Sequence, residues 1–133
     1  MGSEMCIRDR ATKFSAPAAG PGGLEGIVRE YLSLAHRDDR EGGCPSAALL
    51  DEIDRADGTI RQAYTDGLLR LVDGLAVHVA PGDPAAARAS VLGVVALLTG
   101  TLQLARALTD EALVEDLLDR SARTAIAMLS VEA

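Results

Sequence analysis

Residues 83–108 read DPAAARASVLGVVALLTGTLQLARAL, and this stretch decides the fold. Asp83 can accept hydrogen bonds from the free N–H groups of a first helical turn, and Pro84 has the backbone angle that the first helical position requires. From Ser90 onward apolar residues follow one another so closely that no face stays polar, and such a helix is buried on all sides. We therefore predict a long helix with one face on its own core and the other on a second copy of the chain.

Residues 109–129 follow directly as TDEALVEDLLDRSARTAIAML and predict a second long helix. Its apolar residues form two adjoining stripes, which is wider than a single partner needs. We expect both long helices to pair with their mates across a two-fold axis, forming an interface that resembles a domain core cut in half. The predicted interface residues are Leu97, Gly100, Thr101, Leu104, Leu117, Ser121, Thr124, Ala125 and Met128.

The composition predicts a single all-α domain. The 133 residues suffice to bury roughly two-thirds of the unfolded surface without disulfides, and no β-branched or aromatic run alternates with period two. The net charge of -7 argues against nucleic-acid binding by this chain alone, since phosphate binding needs clustered Lys and Arg and Lys13 is the only lysine. Cys6 and Cys44 have no metal-type spacing and fit a reducing compartment.

The first 23 residues lie outside the predicted domain. Residues 1–10 back-translate to a sequence that resembles the transposase adaptor used in preparing sequencing libraries, which predicts that the natural gene continued upstream of Ala11. Residues 11–23 are rich in Ala, Pro and Gly and are interpreted as a linker. The domain itself is predicted to cover residues 24–131.

Three shorter helical patterns precede the long pair. Residues 24–35 place apolar residues at helical spacing and predict the first helix, and the polar stretch 36–43 predicts a loop. Pro45 is predicted to open the second helix, and Asp57 to cap a third that runs to Val79 before a Pro-Gly pair stops it. Together with the long pair, these patterns make five helices.

The long helix also has to be compared with a membrane span. Between Arg88 and Arg106 it carries no charge, but this run reaches only the lower edge of the roughly 17 to 25 residues that a span requires. Polar residues such as Gln103 interrupt it. We therefore predict a buried helix without membrane contact, in a cytoplasmic protein because no signal peptide is found.

Few residues suggest catalysis. His36 and Cys44 lie close together in the predicted loop, and a thiol beside an imidazole can serve as nucleophile and base. No third group that would orient the imidazole is evident, and no histidine pair has metal-ligand spacing. His78 on the third helix is interpreted as a core or pocket residue. We predict no enzymatic activity, no metal and no cofactor.

The order of these elements resembles one known family. The features that carry the resemblance are Tyr31-Leu32-Ser33, residues 36–39 (HRDD), residues 42–45 (GGCP), the capped Asp57 helix, the Asp-Pro start and residues 102–107 (LQLARA). Over residues 24–129 the chain resembles the C-terminal regulatory domain of TetR-family transcriptional regulators. The resemblance implies an all-helical domain, a four-helix dimer interface, and operator binding only through an N-terminal helix-turn-helix that is missing upstream of Leu24.

The same resemblance implies that the earlier helices enclose an effector pocket. An aliphatic lining with few charges suits a small apolar effector. The predicted lining residues are Tyr31, His36, Cys44, Tyr64, Leu68, Leu71, His78 and Gln103. Two alternatives stay open, a helical dimerisation scaffold without a ligand and a small enzyme that uses Cys44 and His36. A cavity of a few hundred cubic ångströms lined by the first, third and fourth helices would favour the sensor over the scaffold.

Overall fold

The computed structural model describes residues 23–132, which fold into six α-helices joined by short turns. No strand occurs within this range, so the predicted all-α fold is confirmed. The predictions for residues 1–22, an adaptor-derived start and a linker, lie outside the described residues. The helices are α1 (Gly23–Tyr31), α2 (Leu34–Asp38), α3 (Pro45–Asp54), α4 (Gly58–Val79), α5 (Pro84–Ala107) and α6 (Glu111–Glu132).

The helix α5 lies at the centre of the fold. It packs against α4 and α6, which are the other two long helices, and also against α2 and α3, while α1 packs against α6. Val91 and Leu102 of α5 are completely buried, and so are Val72 of α4 and Val114 of α6. The aliphatic residues that the sequence placed on the two C-terminal helices therefore form the core, and the two helices pack together as predicted.

Polar residues begin the long helices as predicted. The Asp57 carboxylate accepts hydrogen bonds from the backbone N–H groups of Thr59 and Ile60, and Asp83 accepts one from Ala86 at 3.3 Å. Each bond satisfies an N–H group that has no partner within its own helix. Asp110 does the same for α6, with 3.1 Å between its carboxylate and the nitrogen of Leu113.

The first helix and the loop after it differ from the prediction. The helix expected over residues 24–35 ends at Tyr31, and a separate short helix, α2, occupies part of the stretch that was predicted as a loop. Ser33 causes the break, because its side chain accepts a hydrogen bond from the backbone N–H of His36 and also donates one to the carbonyl of Glu30. A serine with extended backbone angles that caps the next turn starts a new helix.

One face of α5 is covered by this chain and the opposite face is open. Ala87 is fully buried, whereas Leu92 is 39% exposed and Leu104 is 56% exposed. The helix α6 is divided in the same way, since Leu118 is buried and Leu113 is 50% exposed. The expectation that α5 is surrounded on all sides is therefore not met within a single chain.

By length and composition, Pro84–Ala107 also meets the requirement for a membrane-spanning helix, with a mean hydropathy of 1.6 in its most apolar window. The central helix of a soluble protein meets the same requirement, and 39% of this window is buried against the other helices. Composition alone therefore gives only weak support for a membrane span.

Candidate functional site

Three of the predicted lining residues, Tyr31, His36 and Cys44, meet where α1, α2 and α3 come together. His36 is buried, and its Nδ1 lies 2.7 Å from the carbonyl oxygen of Tyr31. Its Nε2 lies 2.9 Å from the backbone nitrogen of Cys44, which donates the hydrogen bond. Because a carbonyl oxygen can only accept, the proton of the neutral ring sits on Nδ1. His36 thus joins the end of α1 to the start of α3.

The Tyr31 side chain extends this arrangement to α5. Its ring stands edge-on to the His36 ring with the centroids 4.6 Å apart, and its hydroxyl lies 3.5 Å from the Thr99 hydroxyl. Burial raises the pKa of Tyr31 far above its usual range, and the neighbouring Cys44 side chain raises this pKa further. Hydrogen bonding to Thr99 and the charge of Arg106 act in the opposite direction without reversing the shift. The phenol is therefore neutral at physiological pH.

Sequence reasoning missed Arg106 as a site residue. Its Nε donates a hydrogen bond to the carbonyl of Arg37 at 3.0 Å, and its Nη2 donates to the carbonyls of His36 at 3.2 Å and Asp39 at 3.4 Å. These carbonyls lie at the C-terminal end of α2, where a cation is favoured. Any residue type has a backbone carbonyl, so the identity of the residues that accept these hydrogen bonds could not indicate the role of Arg106.

Gly43 is required for the close approach of these groups. A Cβ atom at this position would lie 2.5 Å from the Asp39 carbonyl oxygen and 2.9 Å from both Arg106 Nη2 and His36 Nε2. Any side chain would push the loop away from the imidazole and the guanidinium. We refer to the assembled residues as the His36 cluster, which consists of Tyr31, His36, Cys44, Thr99 and Arg106.

Two further predicted residues, Tyr64 and Gln103, lie where α3 meets α4 and α5. The Tyr64 hydroxyl is 2.5 Å from the Ser46 hydroxyl, and Gln103 donates a hydrogen bond to the carbonyl of Ala47 at 3.2 Å. Burial raises the pKa of Tyr64, the hydrogen bond with Ser46 lowers it, and the nearby Cys44 raises it. Tyr64 therefore lies close to Cys44 of the His36 cluster.

The other predicted lining residues divide between two places. Leu68 and Leu71 are partly buried on α4 and pack against the core. His78 is exposed near the C-terminal end of α4 and lines a separate pocket, which the structure places apart from the His36 cluster. This end pocket has a volume of about 190 Å³ and is lined by Leu24, Glu25, His78, Val79, Ile126, Leu129 and Ser130.

The predicted interface residues also divide by burial. Leu104, Thr124 and Met128 are exposed, and Leu97, Gly100 and Leu117 are half-buried. These six lie on the open sides of α5 and α6. Thr101, Ser121 and Ala125 are buried by their own chain, because helical spacing turns them toward the core.

The hydrogen bonds of His36 can be compared with the alternative in which Cys44 is a nucleophile and His36 its general base. A general base for the Cys44 thiol would need a free ring nitrogen, but both nitrogens of His36 have backbone partners, at the Tyr31 carbonyl and the Cys44 N–H. Within residues 23–132, no three His, Cys, Asp or Glu side chains form a group that could hold a metal ion. The chemistry that the cluster offers is hydrogen bonding by neutral groups beside one cation.

Comparison with known proteins gives no match: no family model, no curated protein and no solved structure is significantly similar to this chain.

Proposed function

We propose that this chain is the effector-sensing and dimerisation domain of a TetR-family transcriptional regulator, functioning as a repressor in the cytoplasm. Operator DNA is bound through a helix-turn-helix domain that residues 23–132 do not contain. The sequence resemblance over residues 24–129 motivates the proposal. The physical support comes from the open side of α5 and from the polar residues that gather around His36.

The open side of α5 is the observation that carries the proposal. Apart from Arg88, every exposed residue of this helix is uncharged, and most are Ala, Gly or Leu. Arg88 itself is directed to the side, where it forms an ion pair with Asp73 of α4. Exposed residues of α4, by contrast, include Arg61, Asp66 and Arg70. A long helix face without charges indicates contact with another apolar surface.

The open side of α6 extends the same surface. Leu113 is 50% exposed and Met128 is 40% exposed, with the half-buried Leu117 between them. We call the combined surface the apolar face, and it consists of Leu92, Ala96, Gly100 and Leu104 of α5 and Leu113, Leu117, Thr124 and Met128 of α6. Pairing with the same face of a second copy would bury both helices of both chains, giving four helices at the interface.

The dimer is tested by sedimentation velocity at micromolar concentration. We expect the unaltered chain to sediment at twice the mass of one chain. The variant Leu104→Glu places a charge at a residue that is 56% exposed, so it should yield a folded monomer. The matched control Val77→Glu changes a residue of α4 that is 50% exposed and should remain dimeric. An unaltered chain that sediments as a monomer contradicts the proposal.

Effector binding is proposed at the His36 cluster, with Tyr64, Gln103, Leu68 and Leu71 beside it. Tyr31 and Tyr64 supply neutral hydroxyls, and the two leucines of α4 supply apolar surface. A small apolar ligand that fits should raise the melting temperature, because it binds only the folded state. Leu68→Trp enlarges one of the proposed lining side chains and should abolish this response. If a ligand stabilises Leu68→Trp as much as the unaltered chain, Leu68 does not face the effector.

One observation favours the second candidate, a dimerisation scaffold without a ligand. Within residues 23–132, every buried polar side-chain atom has a hydrogen-bond partner, so the His36 cluster is fully satisfied as it stands. A scaffold would show the dimer but no ligand response at all. Ligand-dependent melting therefore distinguishes the two candidates, because both of them predict that Leu104→Glu disrupts the dimer.

A further inference from the structure

The end pocket contains two polar side chains that are not engaged elsewhere. Glu25 and His78 both line it, and neither forms a hydrogen bond or an ion pair with any other described residue. Both are exposed, so both groups are accessible from the solvent. The neighbouring Arg29 does not neutralise Glu25, because its guanidinium is bonded to Asp119 at 2.9 Å. The carboxylate of Glu25 is thus available to a ligand.

The helix ends around the end pocket also favour a positive charge. His78 and Val79 belong to the last turn of α4, and Ile126, Leu129 and Ser130 lie near the C-terminal end of α6. Each helix C-terminus carries roughly half a negative charge, against the same amount of positive charge at the start of α1. The Glu25 carboxylate adds a full negative charge to these helix C-termini.

The base of the end pocket is apolar and small. Val79 and Leu129 are buried, and Leu24 and Ile126 are partly buried and pack against the core. The volume of about 190 Å³ corresponds to roughly six water molecules at about 30 Å³ each. A ligand of this size has space for a charged head and a short alkyl group.

We infer that the end pocket binds a small organic ammonium ion. Its N–H groups donate hydrogen bonds to the Glu25 carboxylate and to the His78 imidazole, and its alkyl group covers Val79 and Leu129. Charge-assisted hydrogen bonds give the ammonium its advantage over a neutral ligand of the same shape. The site is separate from the His36 cluster and requires neither the dimer nor DNA. The ammonium inference can therefore be correct if the proposed regulator function is wrong, and it can be wrong if that function is correct.

The probe is n-butylammonium chloride, titrated into the full chain at constant ionic strength and followed by backbone amide chemical shifts. We expect saturable shifts centred on Leu24, Glu25, His78 and Ser130. Glu25→Gln should weaken binding about tenfold, since it removes one charge-assisted hydrogen bond. The matched control Glu30→Gln changes an exposed carboxylate of the same helix outside the pocket and should leave the affinity unchanged.

Sodium butyrate and n-butanol complete the test. We expect no saturable shift with butyrate, and binding of n-butanol at least tenfold weaker than that of the ammonium ion. Equal binding of n-butanol, unchanged affinity of Glu25→Gln, or shifts centred on the His36 cluster would each overturn the inference. The amide spectrum of Glu25→Gln also reports whether that variant is folded, and His78→Phe provides a second variant that should lower the affinity.

Discussion

His36 stabilises the fold through its two backbone hydrogen bonds. His36→Phe keeps a ring of similar shape but leaves the Tyr31 carbonyl and the Cys44 N–H without these bonds. Each unsatisfied buried group costs about 1–3 kcal/mol, so we expect roughly 2–6 kcal/mol of destabilisation in urea unfolding. His78→Phe is the matched control, because His78 is exposed and its replacement should change stability by less than about 0.5 kcal/mol. Equal effects of the two variants would show that His36 is not structural.

The raised pKa values of the two tyrosines predict how the free energy of unfolding changes at alkaline pH. Burial raises the pKa of both Tyr31 and Tyr64 in the folded chain, whereas in the unfolded chain a tyrosine ionises near about pH 10. The unfolded state therefore loses protons first. The contribution of the buried phenols to stability is complete below about pH 10 and falls as the pH rises further.

Tyrosinate absorbance measures this effect directly, since the chain contains no tryptophan. As the pH is raised, we expect the absorbance to increase together with the loss of the helical circular dichroism signal. This increase should occur at a higher pH than in a free tyrosine derivative. Tyr31→Phe should reduce the dependence of stability on alkaline pH. Ionisation of both tyrosines near about pH 10 in a chain that is still helical would contradict the burial of their hydroxyls.

At the scale of residues, the structure brings some of the predicted lining side chains together and leaves others apart. Tyr31, His36 and Cys44 meet because they border the short connection between α1 and α3. Arg106 was missed because its acceptors are three backbone carbonyls, which depend on where the loop ends in space. His78 was misplaced because a helical pattern gives the face of a residue but not the element that covers it.

At the scale of elements, helix starts were predictable where one residue decides them. Asp57 and Asp83 accept hydrogen bonds from N–H groups two or three residues later, so a few neighbouring residues are enough to predict where each helix starts. Ser33 was missed because the apolar spacing of residues 24–35 continues across it, and periodicity alone cannot show a break between two helices. Which face of α5 is covered and which is open could not be predicted without the positions of the surrounding helices.

Gly100 tests the role of α5 as an interface helix. A Cβ atom at Gly100 would meet no other atom within 4 Å in the single chain, so the position is open. Gly100→Arg should therefore leave the monomer folded but place a charged side chain in the centre of the apolar face, giving a monomer by sedimentation. Gly26→Arg on α1 is the matched control, since a Cβ there also meets no atom within 4 Å, and it should stay dimeric. If Gly100→Arg remains dimeric, the interface does not include the centre of the apolar face.

At the scale of the whole molecule, several ion pairs join the helices to one another. Ion pairs join Arg29 of α1 to Asp119 of α6, Arg37 of α2 to Glu111 of α6, and Asp73 of α4 to Arg88 of α5. Exposed pairs of this kind contribute little stability. The exposed residues of α5 carry no charge apart from Arg88.

The same distribution of charge predicts the response to DNA. The net charge is -7, and DNA binding at physiological salt needs several cations that are free to contact phosphates. Many of the arginines are already bonded to carboxylates, namely Arg29, Arg37, Arg88, Arg120 and Arg123. The proposed dimer would double the net negative charge, so its long-range field would repel a duplex.

We therefore expect no sequence-specific shift of any DNA duplex in a gel-shift assay with this chain alone at physiological salt. Lowering the salt should not create one, because weaker screening strengthens repulsion between like charges as well as attraction between opposite ones. The control is a duplex pool of random sequence, which reports any nonspecific binding under the same conditions. A specific shift would mean that a DNA-reading element lies within these 133 residues, and the proposed division between a sensing domain and a separate DNA-binding domain would be wrong.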